Sequence, residues 1–241
     1  MPSNKYDIII IGVGFMGAAA CWFLAKRGYK VLGLEQFDIP NEQGSHAGQT
    51  RIIRKAYFEH SDYIPLLERA YNNWKELEEV TASQVYFKTG LVYFGNPDAK
   101  LIKGSLEAAQ RYHIALDVLT HEEARYRFPM IQYPAHFQIL YEPDAGFLTP
   151  EKAIALYASD AIKNNAVIRG REKVVEWKKE NSVITVTTNK NIYQADRLVI
   201  TAGAWSGKVV PSMPVVLKIT KQIVGWINPK KWDEFSLGSF P

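Results

Sequence analysis

Tyr6-Asp7-Ile8-Ile9-Ile10-Ile11-Gly12-Val13-Gly14-Phe15-Met16-Gly17, followed by an alanine-rich stretch and then Val31-Leu32-Gly33-Leu34-Glu35, decides the reading of this chain. Four successive isoleucines, Ile8 to Ile11, suit a strand buried on both faces. Gly12 and Gly14 supply the turn and a bare backbone that lets a pyrophosphate approach, while Gly17 lets the next helix lie close to the strand. That helix, expected from about Phe15 to Lys26, aims its unpaired N–H groups and positive dipole end at the pyrophosphate. Gly28 then stops it. Glu35, at the end of the second strand and about twenty residues past the glycines, can accept hydrogen bonds from ribose hydroxyls and would repel a 2′-phosphate. Glycine spacing alone is weak evidence. Strand, helix, second strand and terminal acid in this order together describe a dinucleotide clamp, which does not by itself separate FAD from NAD.

With 241 residues the chain can bury a sizeable core, in one large domain or two smaller ones. The formal charge of +4, from 29 basic and 25 acidic residues, is modest and scattered, which argues against a nucleic-acid surface. No apolar run approaches the ~18 residues of a membrane span. The N-terminus enters the first strand without a signal-peptide pattern, so a cytoplasmic address is expected. The single cysteine, Cys21, lies among Ala18, Ala19, Ala20, Trp22 and Phe23 and reads as core, with no internal disulfide. Five histidines without ligand spacing predict no metal site; His113, His121 and His136 read as surface or loop residues.

Residues 36–50 have no apolar period and are rich in turn formers, which predicts a loop. Arg51-Ile52-Ile53-Arg54-Lys55-Ala56-Tyr57 alternates basic and apolar residues and is neither a plain strand nor a plain helix. Ser61 can cap a helix carrying Ile64, Leu67, Tyr71, Trp74 and Leu77 at helical spacing. From Val85 short β-type segments and helical stretches alternate: strands at 85–94, 115–119 and 137–141, and helices at 99–112 and 122–127. They suggest a second layer on an antiparallel or mixed sheet. Thr149-Pro150-Glu151 is a strong helix start, with the helix running to about Asn164. Val167-Ile168 resembles a parallel strand, 173–179, 182–188 and 191–194 a three-stranded meander, and 196–205 an apolar strand that ends in small residues, Ala202 and Gly203 among them, an ending that lets backbone lie against a cofactor. From Val215 a β-type alternation restarts.

The pieces IIIIGVGFMGAAA, LEQFD, GSHAGQTRIIRKAY, KTGLVYFG, YEPDAGFLTPEKAI and ADRLVITAGAW resemble the N-terminal part of the monomeric sarcosine oxidase and N-methyltryptophan oxidase family, flavoenzymes of the glutathione-reductase-like FAD fold. The third piece is the most specific, because cofactor binding in general does not require it. The resemblance implies an α/β chain. Its Rossmann-like FAD-binding domain would comprise 1–85 and 150–214, and an inserted α+β substrate domain on a mostly antiparallel sheet 86–149 and 215–241. By resemblance, Gly12, Gly14, Gly17 and Glu35 hold the adenosine diphosphate part of FAD, Ser45 lies over the pyrophosphate, Val174 contacts the adenine side through its backbone, and Ala202, Gly203 and Trp205 line the cofactor. Arg51 would lie near the isoalloxazine, favouring the anionic reduced flavin, and Arg54 would bind a substrate carboxylate. A solvated loop pair is the other reading of the two arginines.

The implied reaction is oxidation of the secondary amine of an N-methyl or N-alkyl amino acid with O2, giving aldehyde, amine and H2O2, in an enzyme monomeric at full length. Two alternatives stay open: an FAD-dependent amino-acid dehydrogenase on the same fold, and a shortened FAD-binding fragment without chemistry. The loop reads His46-Ala47-Gly48-Gln49 where some members carry two histidines. By resemblance, the cysteine that carries the flavin, a lysine implicated in oxygen activation and a glycine-rich flavin segment would lie beyond Pro241.

Overall fold

All four residues of the Ile8–Ile11 run are buried, as an unbroken apolar stretch requires of a central parallel strand. The computed structural model describes residues 4–241. In chain order it has β1 (Lys5–Ile11), α1 (Phe15–Lys26), β2 (Val31–Leu34), β3 (Arg51–Ile53), α2 (Ile64–Thr81), β4 (Tyr86–Phe87), β5 (Leu91–Gly95), α3 (Lys100–Tyr112), β6 (Asp117–Leu119) and α4 (His121–Arg127). There follow β7 (Gln138–Glu142), β8 (Gly146–Leu148), α5 (Pro150–Lys163), β9 (Val167–Arg169), β10 (Val174–Glu180), β11 (Val183–Thr188), β12 (Ile192–Ile200) and α6 (Ser206–Val209). These fall into two compact units, Met1–Thr50 with Thr149–Val224 and Arg51–Leu148 with Gly225–Pro241.

The first unit is built on a six-stranded sheet in the order β10-β11-β12-β1-β2-β9. β12, β1, β2 and β9 run parallel, whereas β10, β11 and β12 form the antiparallel meander. The expected third meander strand and the apolar strand after it are one nine-residue strand, β12, interrupted in composition by Asp196 and Arg197 but not in pairing. Tyr6, Ile9, Ile11, Leu32 and Leu34 share a core with Ile184, Val186, Tyr193 and Ala195 of the meander. Helices α1 and α5 pack together through Trp22, whose Nε1 donates to Asp160 Oδ2 at 2.8 Å and whose ring meets Tyr157 at 5.2 Å. Asn164 Nδ2 gives Asp160 a further donor at 3.2 Å, so this buried carboxylate is satisfied, as burial demands. Cys21 has no exposure, and burial pushes its thiol up to about 12, so it packs as an inert core residue.

The second unit carries two small antiparallel sheets, β3-β8-β4 and β5-β7-β6, with α2, α3 and α4. Helix α4 starts at a full capping box, Thr120 and Glu123 satisfying each other's backbone N–H. Ser61 does not cap α2: it opens a 3₁₀ turn, Ser61–Tyr63, that His60 caps by accepting from Asp62 N–H, and its hydroxyl accepts from Arg111 instead. The expected boundary near residue 85 also differs. Residues 51–85 pack with the second unit because β3 pairs with β8 through Arg51↔Leu148 and Ile53↔Gly146. From Val215 to Ile227 the expected strand is absent. The segment has no ladder partner among the described residues, and Val216, Ile223 and Ile227 are nine-tenths exposed or more.

Candidate functional site

A cleft of about 840 Å³ opens in the first unit at the C-terminal ends of β1 and β2, toward the upper end of the ~300–1,000 Å³ usual for small-molecule sites. Its lining begins with the glycine turn. Gly12 has φ +94°, and a Cβ there would lie 2.6 Å from the carbonyl oxygen of Thr201, so the turn admits glycine alone. The Thr201 hydroxyl donates to the Gly12 carbonyl at 2.6 Å, tying the turn to the end of β12. A Cβ on Gly17 would fall inside the Gly12 carbonyl oxygen and 2.8 Å from Thr201 Oγ1. Helix α1 therefore lies against the turn with no room for a methyl group.

At the start of α1, Gly14 provides no side-chain cap and the first turn holds no acidic residue. Gly14, Phe15 and Met16 face the cleft, so the positive end of the helix is presented to whatever occupies it. Glu35 is buried, with Oε2 accepting from Val13 N–H at 2.9 Å and Oε1 from Phe37 N–H at 3.0 Å. These bonds fix the carboxylate beside the glycine turn. Each oxygen keeps a second lone pair for a ligand hydroxyl.

Of the residues expected around a dinucleotide, Gly12, Gly14, Glu35, Ser45, Val174, Ala202, Gly203 and Trp205 all line this one cleft, and Gly17 stands directly behind it. Three further groups carry contacts that the sequence reading did not assign. His46, noted there as part of the Gly-Ser-His loop without a contact of its own, is buried with Nε2 2.8 Å from the Asn41 carbonyl. Glu172, also buried in the lining, accepts from the hydroxyls of Thr188 (2.8 Å) and Tyr193 (2.9 Å), partners supplied by a meander its position does not announce. Glu151, read as a helix-start residue, also accepts from Gly48 N–H at 2.9 Å and Gln49 N–H at 3.2 Å, anchoring the 44–50 loop.

Burial raises the Glu151 carboxyl, but N–H groups of its own backbone, Gln49 and Gly48 outweigh it and hold the group below its ordinary 4.5. A depressed folded-state value means stability that is complete above about 4.5 and lost as pH falls through the folded value. Glu151→Gln is therefore expected to lower the melting temperature at pH 7, with the gap to wild type narrowing as pH falls below about 4.5 and through the lower folded-state value. Paired thermal melts across that range check this; a constant gap would contradict it.

The two arginines belong to the second unit. Arg51 starts β3, opposite Leu148. Arg54 follows that strand with a side chain only 21% exposed. Its guanidinium lies 5.1 Å from the Tyr57 ring and 5.3 Å from the Phe58 ring, and Nη2 donates to both Glu59 oxygens at 3.0 and 3.2 Å. Its Nε is buried without a hydrogen-bond partner. This is not a solvated loop residue: it is an aromatic-backed guanidinium already gripping one carboxylate with a donor to spare.

The family described as FAD dependent oxidoreductase, DAO, matches residues 7–236. The chain belongs to this family. Monomeric sarcosine oxidase of Streptomyces avermitilis is 36% identical over 229 residues, 95% of this chain and 59% of that protein. N-methyl-L-tryptophan oxidase of Salmonella typhimurium is 32% identical over 224 residues, 93% and 60% of the respective lengths. The chain thus spans about three-fifths of the length of these curated relatives. Among solved structures, a variant of NikD, described as an unusual amino acid oxidase essential for nikkomycin biosynthesis, superposes with a TM-score of 0.80 at 25% identity, covering 88% of this chain and 55% of that one. The DAO chain accordingly has the Rossmann-like fold of an FAD-binding protein, and FAD is the family's cofactor. The cleft fits it: glycine backbone where a pyrophosphate must approach, an uncapped helix N-terminus and a fixed carboxylate for ribose hydroxyls. Among the described residues no helix is long and apolar enough to cross a membrane.

Proposed function

We propose that this DAO-family chain is the FAD-binding and substrate-gripping part of an oxidase for N-methyl or N-alkyl amino acids. The first unit holds the cofactor and the second unit grips the substrate. Gly12, Gly14 and Gly17 admit the pyrophosphate to the end of α1, Glu35 accepts from the ribose, and Ser45 closes the loop side. Val174 meets the adenine through its backbone, and Ala202, Gly203 and Trp205 line the opposite wall. Bound FAD supplies the two-electron acceptor and the reactivity toward O2. In the second unit, Arg54 holds the substrate carboxylate, and Arg51 is the fixed positive charge that would favour an anionic reduced flavin.

The single observation that carries the substrate class is the state of Arg54. The guanidinium is backed by the Tyr57 and Phe58 rings and already binds a carboxylate, that of Glu59, which is the chemistry that holding a substrate carboxylate requires. The names of the 36% and 32% identical relatives point to the same class of substrate. For N-methylglycine the balance is amine, O2 and water giving glycine, formaldehyde and H2O2. In the holoenzyme supplied with N-methylglycine, equimolar formaldehyde and H2O2 are expected. Formaldehyde formed only with an added quinone acceptor would make it a dehydrogenase, and no formaldehyde under either condition would refute the substrate class.

A further inference from the structure

Glu142 closes β7 with no solvent exposure, a position in which a carboxyl group requires donors. It has three. Oε1 accepts from Lys55 N–H at 2.6 Å, and Oε2 accepts from Ala56 N–H at 3.2 Å and from the Tyr93 hydroxyl at 2.7 Å. The two backbone donors belong to the residues immediately after Arg54. The same turn supplies Asp144, whose carboxylate lies 3.6 Å from Lys55 Nζ and also pairs with Lys88. The Asp144 backbone carbonyl accepts from the hydroxyls of Tyr86 and Tyr71 at 2.6 and 3.2 Å. The β7–β8 turn is thus fastened to α2 and β4, and through Glu142 it holds the chain at Lys55 and Ala56.

We propose that Glu142 is a positioning residue for Arg54: its carboxylate fixes the backbone after Arg54 and so sets where the guanidinium stands to receive a carboxylate. This rests on the carboxylate-binding reading of Arg54. The segment 54–58 contains no regular element, so side-chain anchoring has to do what a ladder does elsewhere. Gln at 142 keeps the size and one acceptor oxygen but loses the second, releasing one of the two N–H groups. A buried group acting only as a staple would, when altered, change stability and every kinetic constant alike. A positioning group acts through Arg54 alone.

The test is a double-mutant cycle in the holoenzyme with N-methylglycine, reading KM and kcat separately. Glu142→Gln is expected to raise KM about tenfold with kcat within about twofold, and to add less than about twofold to KM when Arg54 is already Ala. Amide hydrogen exchange at Lys55 and Ala56 should accelerate while that of β1 stays unchanged. An equal rise in KM in both backgrounds, or no rise beside an intact Arg54, overturns the proposal. If Arg54→Ala itself leaves KM unchanged, the carboxylate reading fails and the proposal fails with it. Should Glu142→Gln not fold, Tyr93→Phe, which removes one donor from the same carboxylate, is carried through the same cycle with an expected rise of about threefold.

Discussion

Gly17→Ala is expected to abolish FAD binding, weakening it by more than about a hundredfold, and to destabilise the first unit by about 3 kcal/mol. The added methyl would overlap the Gly12 carbonyl oxygen and press on Thr201 Oγ1. Relief can come only by moving α1 off the glycine turn, because one obstacle is backbone and the other is bonded to that backbone at 2.6 Å. Moving the helix takes its N-terminus away from the pyrophosphate position. The control is Gly28→Ala at the far end of the same helix. There φ is +82° but open space surrounds the Cβ, so a loss of about 1 kcal/mol with FAD affinity unchanged is expected. Thermal melts and FAD titrations of both variants test the pair. Equal effects on FAD would mean that close helix packing is not what the clamp depends on.

Arg54→Ala is expected to raise KM for N-methylglycine by about a hundredfold or more, and to change KM for a secondary amine of similar size without a carboxylate by less than about threefold. Removing the guanidinium also strips Glu59 of its partner and uncovers Tyr57 and Phe58, so a general effect on folding must be separated from a specific one. Arg54→Lys does this. It keeps the charge against Glu59 but loses the planar fork, and should recover stability while leaving KM at least about tenfold high. If both substrates suffer equally in either variant, the carboxylate assignment is wrong.

The parallel heart of the first unit was legible because its determinants are local. Ile8–Ile11, the glycine turn, α1 and Val31–Leu34 sit within one stretch in which period, turn chemistry and helix stop agree. The same locality made Gly12, Gly14 and Glu35 readable, and the small residues Ala202 and Gly203 at the end of the later strand marked a place for backbone to lie against a cofactor, whereas Ser45, Val174 and Trp205 needed a family resemblance to suggest them. β12 was split in the reading because Asp196 and Arg197 break the apolar pattern, although the parallel ladder to β1 continues through Arg197. Val215–Ile227 shows the opposite: a strand-like alternation has no meaning without a neighbour to pair with. Least legible were the acids that act at a distance. Glu142 meets Lys55 and Ala56 across 87 and 86 positions, and Glu151 meets Gly48 and Gln49 across 103 and 102. Such carboxylates leave no periodic trace, because their partners are backbone N–H groups that every residue but proline carries.

The central claim is that the first unit is a working FAD clamp, and a visible absorption spectrum of the purified chain, before and after addition of FAD and removal of the excess, tests it most directly. Retained flavin bands with near-stoichiometric FAD are the result this account predicts, and loss of those bands into the supernatant on acid precipitation would mark the binding as non-covalent. A well-folded chain that stays colourless with excess FAD would contradict it.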